Sequence, residues 1–167
     1  HTNSLDTTGV IVVTNAPPSQ GNGVWINASG GSWTTTANWQ DGFVARGADC
    51  TGDFSTLNIA MDAVVTLDAT TCTIGHLVFQ DTTPSHNWLV NTGSPPGMLR
   101  FEAAMGSPSI TVSNRTLTLA APMTGTNGLV KNGPGTLVHS GDKNISGGIA
   151  INGGTYVVNA GGWYQNP

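Results

Sequence analysis

The sequence predicts an all-β protein whose chain winds into a parallel β-solenoid, and three observations support this prediction. The 167 residues include 23 Gly and 9 Pro with many Thr, Asn and Ser, a composition typical of short strands joined by tight turns. Segments that resemble strands recur about every 20 residues. Apolar residues tend to alternate within these segments, so that each strand has one face for a core.

The recurrence is followed through one marker residue in each winding. The markers are Leu77, Leu99, Leu117, Leu137 and Tyr156, and their spacings are 22, 18, 20 and 19 residues. A second strand at a similar period lies between the later markers, in the segments Ile110–Val112, Leu129–Lys131 and Ile149–Ile151. This period is too short for a propeller blade and suits one turn of a solenoid. An antiparallel sandwich, which also has short strands at regular spacing, is the open alternative.

Residues 128–141, continued by residues 146–159, carry a specific spacing of Gly, Lys and Leu. This spacing resembles the autotransporter-associated β-strand repeat, although His139 and Tyr156 stand where that family usually has Leu. A looser resemblance to the leader of such repeats covers Trp25 to Phe79. The resemblance implies a right-handed parallel β-helix that is exported and serves as a stalk or passenger at the bacterial cell surface. Because the chain has one clear repeat, we expect either a fragment or a small protein built from the same coil.

Three parts of the chain are predicted from composition. Residues 1–23 form an N-terminal strand arm with a Pro/Gly linker, residues 24–160 form the β-solenoid, and residues 161–167 form a C-terminal tail. The strand of the arm consists of Val10, Ile11, Val12 and Val13, which are apolar on both faces and therefore favour burial on both sides.

The ends of a solenoid expose strand edges, and such edges pair with other chains. We therefore predict that the arm of one molecule adds to the last winding of a neighbour, which makes a head-to-tail filament. The predicted acceptor edge comprises Thr155, Tyr156, Val157, Val158, Trp163 and Tyr164. Pairing of the arm within its own chain is the open alternative.

Charge limits the classes of partner. The chain has 5 Lys and Arg, 9 Asp and Glu, and a net charge of −4, so nucleic acid is not an expected partner. No run approaches the roughly 18 apolar residues that span a bilayer, so membrane insertion is not expected either. The expected partner is a second copy of the chain, with cell-surface or matrix polysaccharide as a further candidate.

The two cysteines, Cys50 and Cys72, are expected to form a disulfide in an exported protein. Two buried free thiols are the alternative. No cofactor or metal is expected. Asp49 and Asp53 flank Cys50, but they lack the dense carboxylate pattern that calcium sites use.

The sequence favours a structural protein without catalytic residues. Most Asp residues fall in turns, where they stabilise the turn itself, and His139 is expected to be a packed or edge residue rather than a base. A sugar-binding adhesin module is the second hypothesis, with Trp33, Trp39 and Trp88 as candidate residues for stacking on sugar rings. A polysaccharide-cleaving β-helix enzyme is the third.

Overall fold

The computed structural model describes residues 21–159, together with the backbone of Ser4–Leu5 and Ile11–Val12. This part of the chain contains strands β1 to β17 and two short 3-10 helices, Thr36–Asn38 and Gln40–Gly42. The described residues include no helix that is long and apolar enough to cross a membrane.

Nine strands form the larger sheet, in which every strand pairing is parallel. They are β3 (Gly23–Val24), β5 (Gly47–Phe54), β7 (Thr71–Phe79), β9 (Met98–Phe101), β10 (Ser109–Val112), β12 (Met123–Gly125), β13 (Leu129–Asn132), β15 (Lys143–Ile145) and β16 (Ile149–Ile151). The long strand β7 links two columns of this sheet. Its first half pairs with β9 and its second half pairs with β10.

Six strands form the second sheet, which is also parallel throughout. They are β4 (Gly30–Ser32), β6 (Ala63–Thr66), β8 (Trp88–Asn91), β11 (Thr116–Leu119), β14 (Thr136–His139) and β17 (Thr155–Val158). Each later winding thus contributes one strand to each of three columns, and the apolar side chains of all three meet in one core. This arrangement confirms the predicted parallel β-helix and excludes the antiparallel sandwich.

The predicted period holds only for the last windings. Along the six-stranded sheet, Val64 pairs with Leu89 and Leu89 with Thr118, which are offsets of 25 and 29 residues. Thr118 then pairs with Val138 and Val138 with Val157, offsets of 20 and 19. The earlier windings are longer because they contain extended loops.

The marker series is correct in its last three members and wrong in its first two. Leu117, Leu137 and Tyr156 stack in one ladder. Leu77 and Leu99 instead lie on β7 and β9 of the larger sheet. They fitted the marker series because the lengths of the early loops give them a similar spacing in sequence.

The predicted second set of strands is also partly displaced. Leu129 pairs with Ile149 as predicted. Ile110, however, pairs with Lys131 rather than with Leu129, a shift of two residues that keeps the same face inward.

The N-terminal arm contains a short antiparallel pair, formed by β1 (Ser4–Leu5) and β2 (Ile11–Val12). Ser4 pairs with Val12 and Leu5 with Ile11. The predicted assembly strand thus includes β2, whereas Val10 and Val13 lie outside the described residues.

Candidate assembly surfaces

An aromatic cluster closes the N-terminal end of the solenoid. Trp25, Trp33 and Trp39 surround Phe54, and the ring centroids of Trp25 and Trp39 lie 5.0 Å apart in an edge-to-face arrangement. The segment that carries the two 3-10 helices folds over this end, and the backbone N–H of Ile26 donates to the Asn38 carbonyl at 2.9 Å. The described chain therefore seals its own first winding.

The tryptophans proposed to stack on sugar rings are part of the core. Trp33 and Trp39 are each 1% exposed and Trp88 is 3% exposed. Their indole N–H groups donate to the carbonyls of Ala45, Trp33 and Gln80 respectively, so both the rings and the polar atoms are used internally. The sugar-stacking interpretation is wrong, because these buried rings offer no free face to a sugar and instead fill the core.

The C-terminal end differs, because its inward-facing side chains are incompletely covered. In the ladder that runs along the second half of β7, Ile110 and Lys131 are fully buried, but Ile151 is 52% exposed. In the ladder of the second sheet, Leu137 is buried and its partner Tyr156 is only half-buried. We call β15, β16 and β17 the C-terminal rim.

The C-terminal rim coincides with the described part of the predicted acceptor edge. Within residues 21–159, β17 pairs with β14 on one side and with no strand on the other. Thr155 and Val157 point outward, and Tyr156 and Val158 point inward. Trp163 and Tyr164, the other predicted acceptor residues, lie outside the described residues.

Lys131 is the first unexpected feature beneath the rim. Its side chain lies in an apolar ladder between Ile110 and Ile151 and is fully buried. The ammonium donates to the carbonyls of Asn132 and Gly133 at 2.8 Å and to that of Gly153 at 3.0 Å. Burial lowers the pKa of the Lys131 amine, whereas the three carbonyl oxygens supply acceptors that hold the cation in place.

His139 is the second feature, and it is packed in the core as the sequence predicted. It lies in the ladder between Leu119 and Val158 and is 1% exposed. Neither ring nitrogen has a hydrogen-bond partner among the described residues. Burial, and next the positive charge of Lys143, lower the pKa of His139, although the negative charge of Asp142 acts in the opposite direction.

The predicted disulfide between Cys50 and Cys72 is absent, and both thiols are free. Cys72 lies on the first half of β7, whereas Cys50 lies between Asp49, which contacts Gly75, and Thr51, which pairs with His76. Because successive residues of a strand rise about 3.3 Å, three positions along β7 separate the two residues by about 10 Å. That distance exceeds the reach of a disulfide.

The Asp81 carboxylate organises the loop that contains it. The Asp81 carboxylate accepts hydrogen bonds from the backbone N–H groups of Ile59, Thr83, Ser85 and His86. Burial would raise its pKa, but the hydrogen bonds from Ser85, His86 and Ile59 outweigh burial and lower the pKa to about 2. Within residues 21–159, His, Cys, Asp and Glu form no group of three that could hold a metal ion.

A polar groove lies beside the turn at Arg115, and three of its side chains, Asn87, Asn114 and Arg115, bond to neighbouring parts of the fold. Asn114 donates to the Asp81 carbonyl and accepts from the Asp81 N–H, and the Arg115 guanidinium donates to the Ser85 carbonyl at 2.8 Å. Asn87 donates to Asp62 and accepts from the N–H of Thr116. These three side chains therefore hold the surrounding loops together.

Comparison with known proteins gives one partial match. Over 54 residues, which is 32% of this chain, the sequence is 44% identical to the adhesin BmaC autotransporter of Brucella suis biovar 1 (strain 1330). The matched part spans about 2% of that protein's length. No family model matches the chain, and no solved structure matches it.

The partial match and the parallel β-solenoid together place the chain in a coarse class. It is a β-helical protein with similarity to an autotransporter adhesin. This similarity suggests a location at the cell surface.

Proposed function

We propose that this protein is a non-enzymatic structural protein of the bacterial cell surface that assembles head to tail into a filament. In this proposal the N-terminal arm of one molecule adds a strand to the C-terminal rim of the next. The late windings would be of the autotransporter-associated β-strand repeat type. The Brucella relative is an adhesin, which supports the cell-surface role.

The observation that carries the proposal is the contrast between the two ends. The aromatic cluster seals the first winding, and Trp25, Trp33 and Trp39 are each exposed by 1% or less. At the C-terminal rim, inward-facing Ile151 is about half exposed and the edge of β17 has no partner strand among the described residues. A half-covered winding at the edge of the described parallel sheet favours the addition of another strand.

The arm has the properties of a donor. Its strand β2 pairs on one side with β1, and a two-stranded sheet leaves an outer edge on each strand. A linker that contains Pro17, Pro18 and Gly21 joins the arm to the sealed end. A donor at one end and an acceptor at the other give a heterologous contact, and such contacts propagate unless they close into a ring.

The backbone of β17 shows how to block the acceptor without breaking the solenoid. The N–H groups of Thr155 and Asn159 donate to β14, at 3.3 and 3.0 Å. Because alternate N–H groups of a strand face opposite sides, the N–H group of Val158 faces the outer edge. Val158→Pro therefore removes an edge donor and leaves the bonds to β14 in place.

The test combines this variant with deletion of residues 1–18. We expect the wild-type protein to form filaments by negative-stain electron microscopy, and each variant alone to remain monomeric by analytical ultracentrifugation. An equimolar mixture should give dimers only, because one variant supplies the rim and the other supplies the arm. Filaments from the deletion variant would overturn the proposal. Val157→Thr, which keeps every N–H of β17, is the matched control and should assemble like the wild type.

A further inference from the structure

We propose that His139 is an acid-sensitive switch for the last described winding, in which uptake of a proton releases β17 and blocks the head-to-tail contact. This inference rests on the proposed function, because β17 carries the acceptor edge of the C-terminal rim. It goes further by naming the proton as the ligand that controls when this edge is available.

His139 lies in an inward ladder one place before the rim. The ladder consists of Leu119 on β11, His139 on β14 and Val158 on β17. Leu119 and His139 are both buried, and neither ring nitrogen of His139 has a hydrogen-bond partner among the described residues. A charged imidazole carries an N–H on both nitrogens, and this position offers no acceptor for either of them. The site therefore fits the neutral ring and not the charged one.

Few other titratable or charged side chains belong to the elements around His139. The positive charge of Lys143 and the negative charge of Asp142 oppose each other, and with burial the net result is a lowered pKa of His139. Tyr156 is the titratable residue of β17, and phenols are uncharged below pH 8. β11 has no titratable residue, and the buried Lys131 of β13 is bonded to backbone carbonyls. Between pH 7 and 5 the group of this winding whose charge changes is thus His139.

The rim side of His139 is the side that opens most easily. Leu119 lies on β11, which is held between β8 and β14. Val158 is half-buried and lies on β17, which pairs with β14 alone among the described residues. Local opening costs less free energy where fewer contacts are lost. Detachment of β17 therefore brings water to a charged ring at the lowest cost.

The donor strand and the proton favour opposite states of β17. A strand added to the outer edge of β17 holds β17 on β14 and keeps His139 buried. A proton binds more strongly when β17 is detached and the ring is hydrated. Two ligands that favour different states weaken each other's binding, and the effect is reciprocal. Acid therefore opposes assembly, and assembly lowers the affinity of His139 for a proton.

A single imidazole sets the size and the pH range of the effect. The hydrated ring takes up its proton near pH 6.5, and one linked proton changes an equilibrium constant by at most about tenfold per pH unit. The detached state binds the proton more strongly, so the effect is absent well above pH 6.5 and grows as the pH falls. We expect the critical concentration for filament formation to be constant between pH 8.0 and 7.0. It should rise on the order of tenfold between pH 7.0 and 5.0.

The test compares His139→Leu with the matched control His76→Gln. Each variant removes one imidazole, but His76 lies on the outside of the larger sheet and bonds Ser109. Critical concentrations are measured by sedimentation at pH 8.0, 7.0, 6.0 and 5.0. We expect His139→Leu to assemble equally well at all four pH values, whereas His76→Gln should lose assembly in acid as the wild type does.

A second measurement follows β17 in the absence of filaments. Hydrogen–deuterium exchange is measured by mass spectrometry on wild-type protein kept below its critical concentration, with rates corrected for the intrinsic effect of pH. We expect the protection of β17 to fall on the order of tenfold between pH 7.0 and 5.0, as one linked proton allows. The protection of β11 should stay constant, and His139→Leu should protect β17 equally at both pH values.

Three results would overturn the inference: equal protection of wild-type β17 at both pH values, the same loss of protection in His139→Leu, or a wild-type critical concentration that does not rise in acid. Wild-type protein that forms no filaments at pH 7.0 would instead contradict the proposed function. The exchange measurement would then still decide whether protonation releases β17, so the two failures are distinguishable. Circular dichroism verifies that each variant is folded, and His139→Met provides the same test if His139→Leu is unfolded.

Discussion

The ammonium of Lys131 donates a hydrogen bond to the carbonyl oxygen of Gly153, one winding further along the chain, at 3.0 Å. The same ammonium also binds the carbonyls of Asn132 and Gly133 within its own winding. A single buried cation thus joins the last two windings. It lies at a position that an aliphatic residue occupies in the windings before and after.

Replacing Lys131 with Met should destabilise the protein by about 2–4 kcal/mol, because three carbonyl oxygens lose a charged donor. The measurement is the free energy of unfolding from urea titration. Arg100→Met is the control, since Arg100 is an exposed cation paired with Glu102 at 3.3 Å and should cost less than about 1 kcal/mol. Equal losses for the two variants would show that the carbonyl contacts of Lys131 contribute little.

The sequence was sufficient to predict the late windings but not the early ones. Residues 116–158 repeat with offsets near 20 because their turns are short and rich in Gly, and the ladder of Leu117, Leu137 and Tyr156 follows directly. The early windings contain loops such as residues 80–87, whose lengths no periodic pattern specifies. Those loops displaced Leu77 and Leu99 from the predicted ladder.

The features beneath the rim were only partly predictable. His139 was expected to be packed because it stands where the repeat usually has Leu. The inward position of Lys131 was not predictable. Alternation of apolar residues does not place a cation in the core, and its acceptors include a backbone carbonyl of the next winding. The burial of Trp33 and Trp39 likewise depends on how residues 33–46 fold back over the first winding.

The buried imidazole of His139 should make stability depend on pH. Because its pKa in the folded protein is below the usual 6.5, the unfolded chain takes up a proton at a higher pH than the folded chain. Stability should therefore fall as the pH decreases from 6.5 toward the folded-state pKa. Lys143 and Asp142 carry the charges that act on this imidazole.

His139→Leu should raise the thermal midpoint and weaken this dependence, since Leu fills the site without two unsatisfied nitrogens. Thermal unfolding at pH 7.5, 6.0 and 5.0 is the measurement. His76→Gln is the control, because His76 is a half-buried residue that bonds Ser109 outside the core. If the thermal midpoint of His139→Leu depends on pH as steeply as that of the wild type, other groups cause the pH dependence.

The free thiols predict that reduction leaves stability unchanged. A disulfide closing the loop from Cys50 to Cys72 would add about 3 kcal/mol, so dithiothreitol would lower the thermal midpoint if the bond existed. We expect equal midpoints with and without reductant, and a mass that corresponds to two thiols. A mass 2 Da lower, as loss of two hydrogens requires, would contradict the separation of about 10 Å that strand geometry gives.

Reactivity should distinguish the two cysteines. Burial raises the pKa of Cys72 to about 12, and burial together with the charge of Asp49 raises that of Cys50. Because the thiolate is the reactive form, a maleimide at pH 7 should label half-buried Cys50 slowly and Cys72 only after unfolding. Peptide mapping of the labelled protein identifies the site.

Asp81 organises the loop that separates β7 from β8, and this role predicts a second, more acidic transition. Its carboxylate binds four backbone N–H groups and the Ser85 hydroxyl, so the folded state favours the charged form. A depressed pKa means that the stabilisation is complete above the usual value of 3.8 and is lost as the pH falls toward about 2.

Asp81→Asn keeps one acceptor oxygen but replaces the other, which binds the N–H groups of Ser85 and His86, with an amide donor. We expect this variant to lose about 1–3 kcal/mol at pH 7 and to show a weaker pH dependence between 4 and 2. Asp41→Asn changes an exposed turn residue and is the control. Its free energy of unfolding in urea should equal that of the wild type at pH 7 and between pH 4 and 2. If Asp81→Asn also matches it, the loop is held by its remaining contacts rather than by the carboxylate.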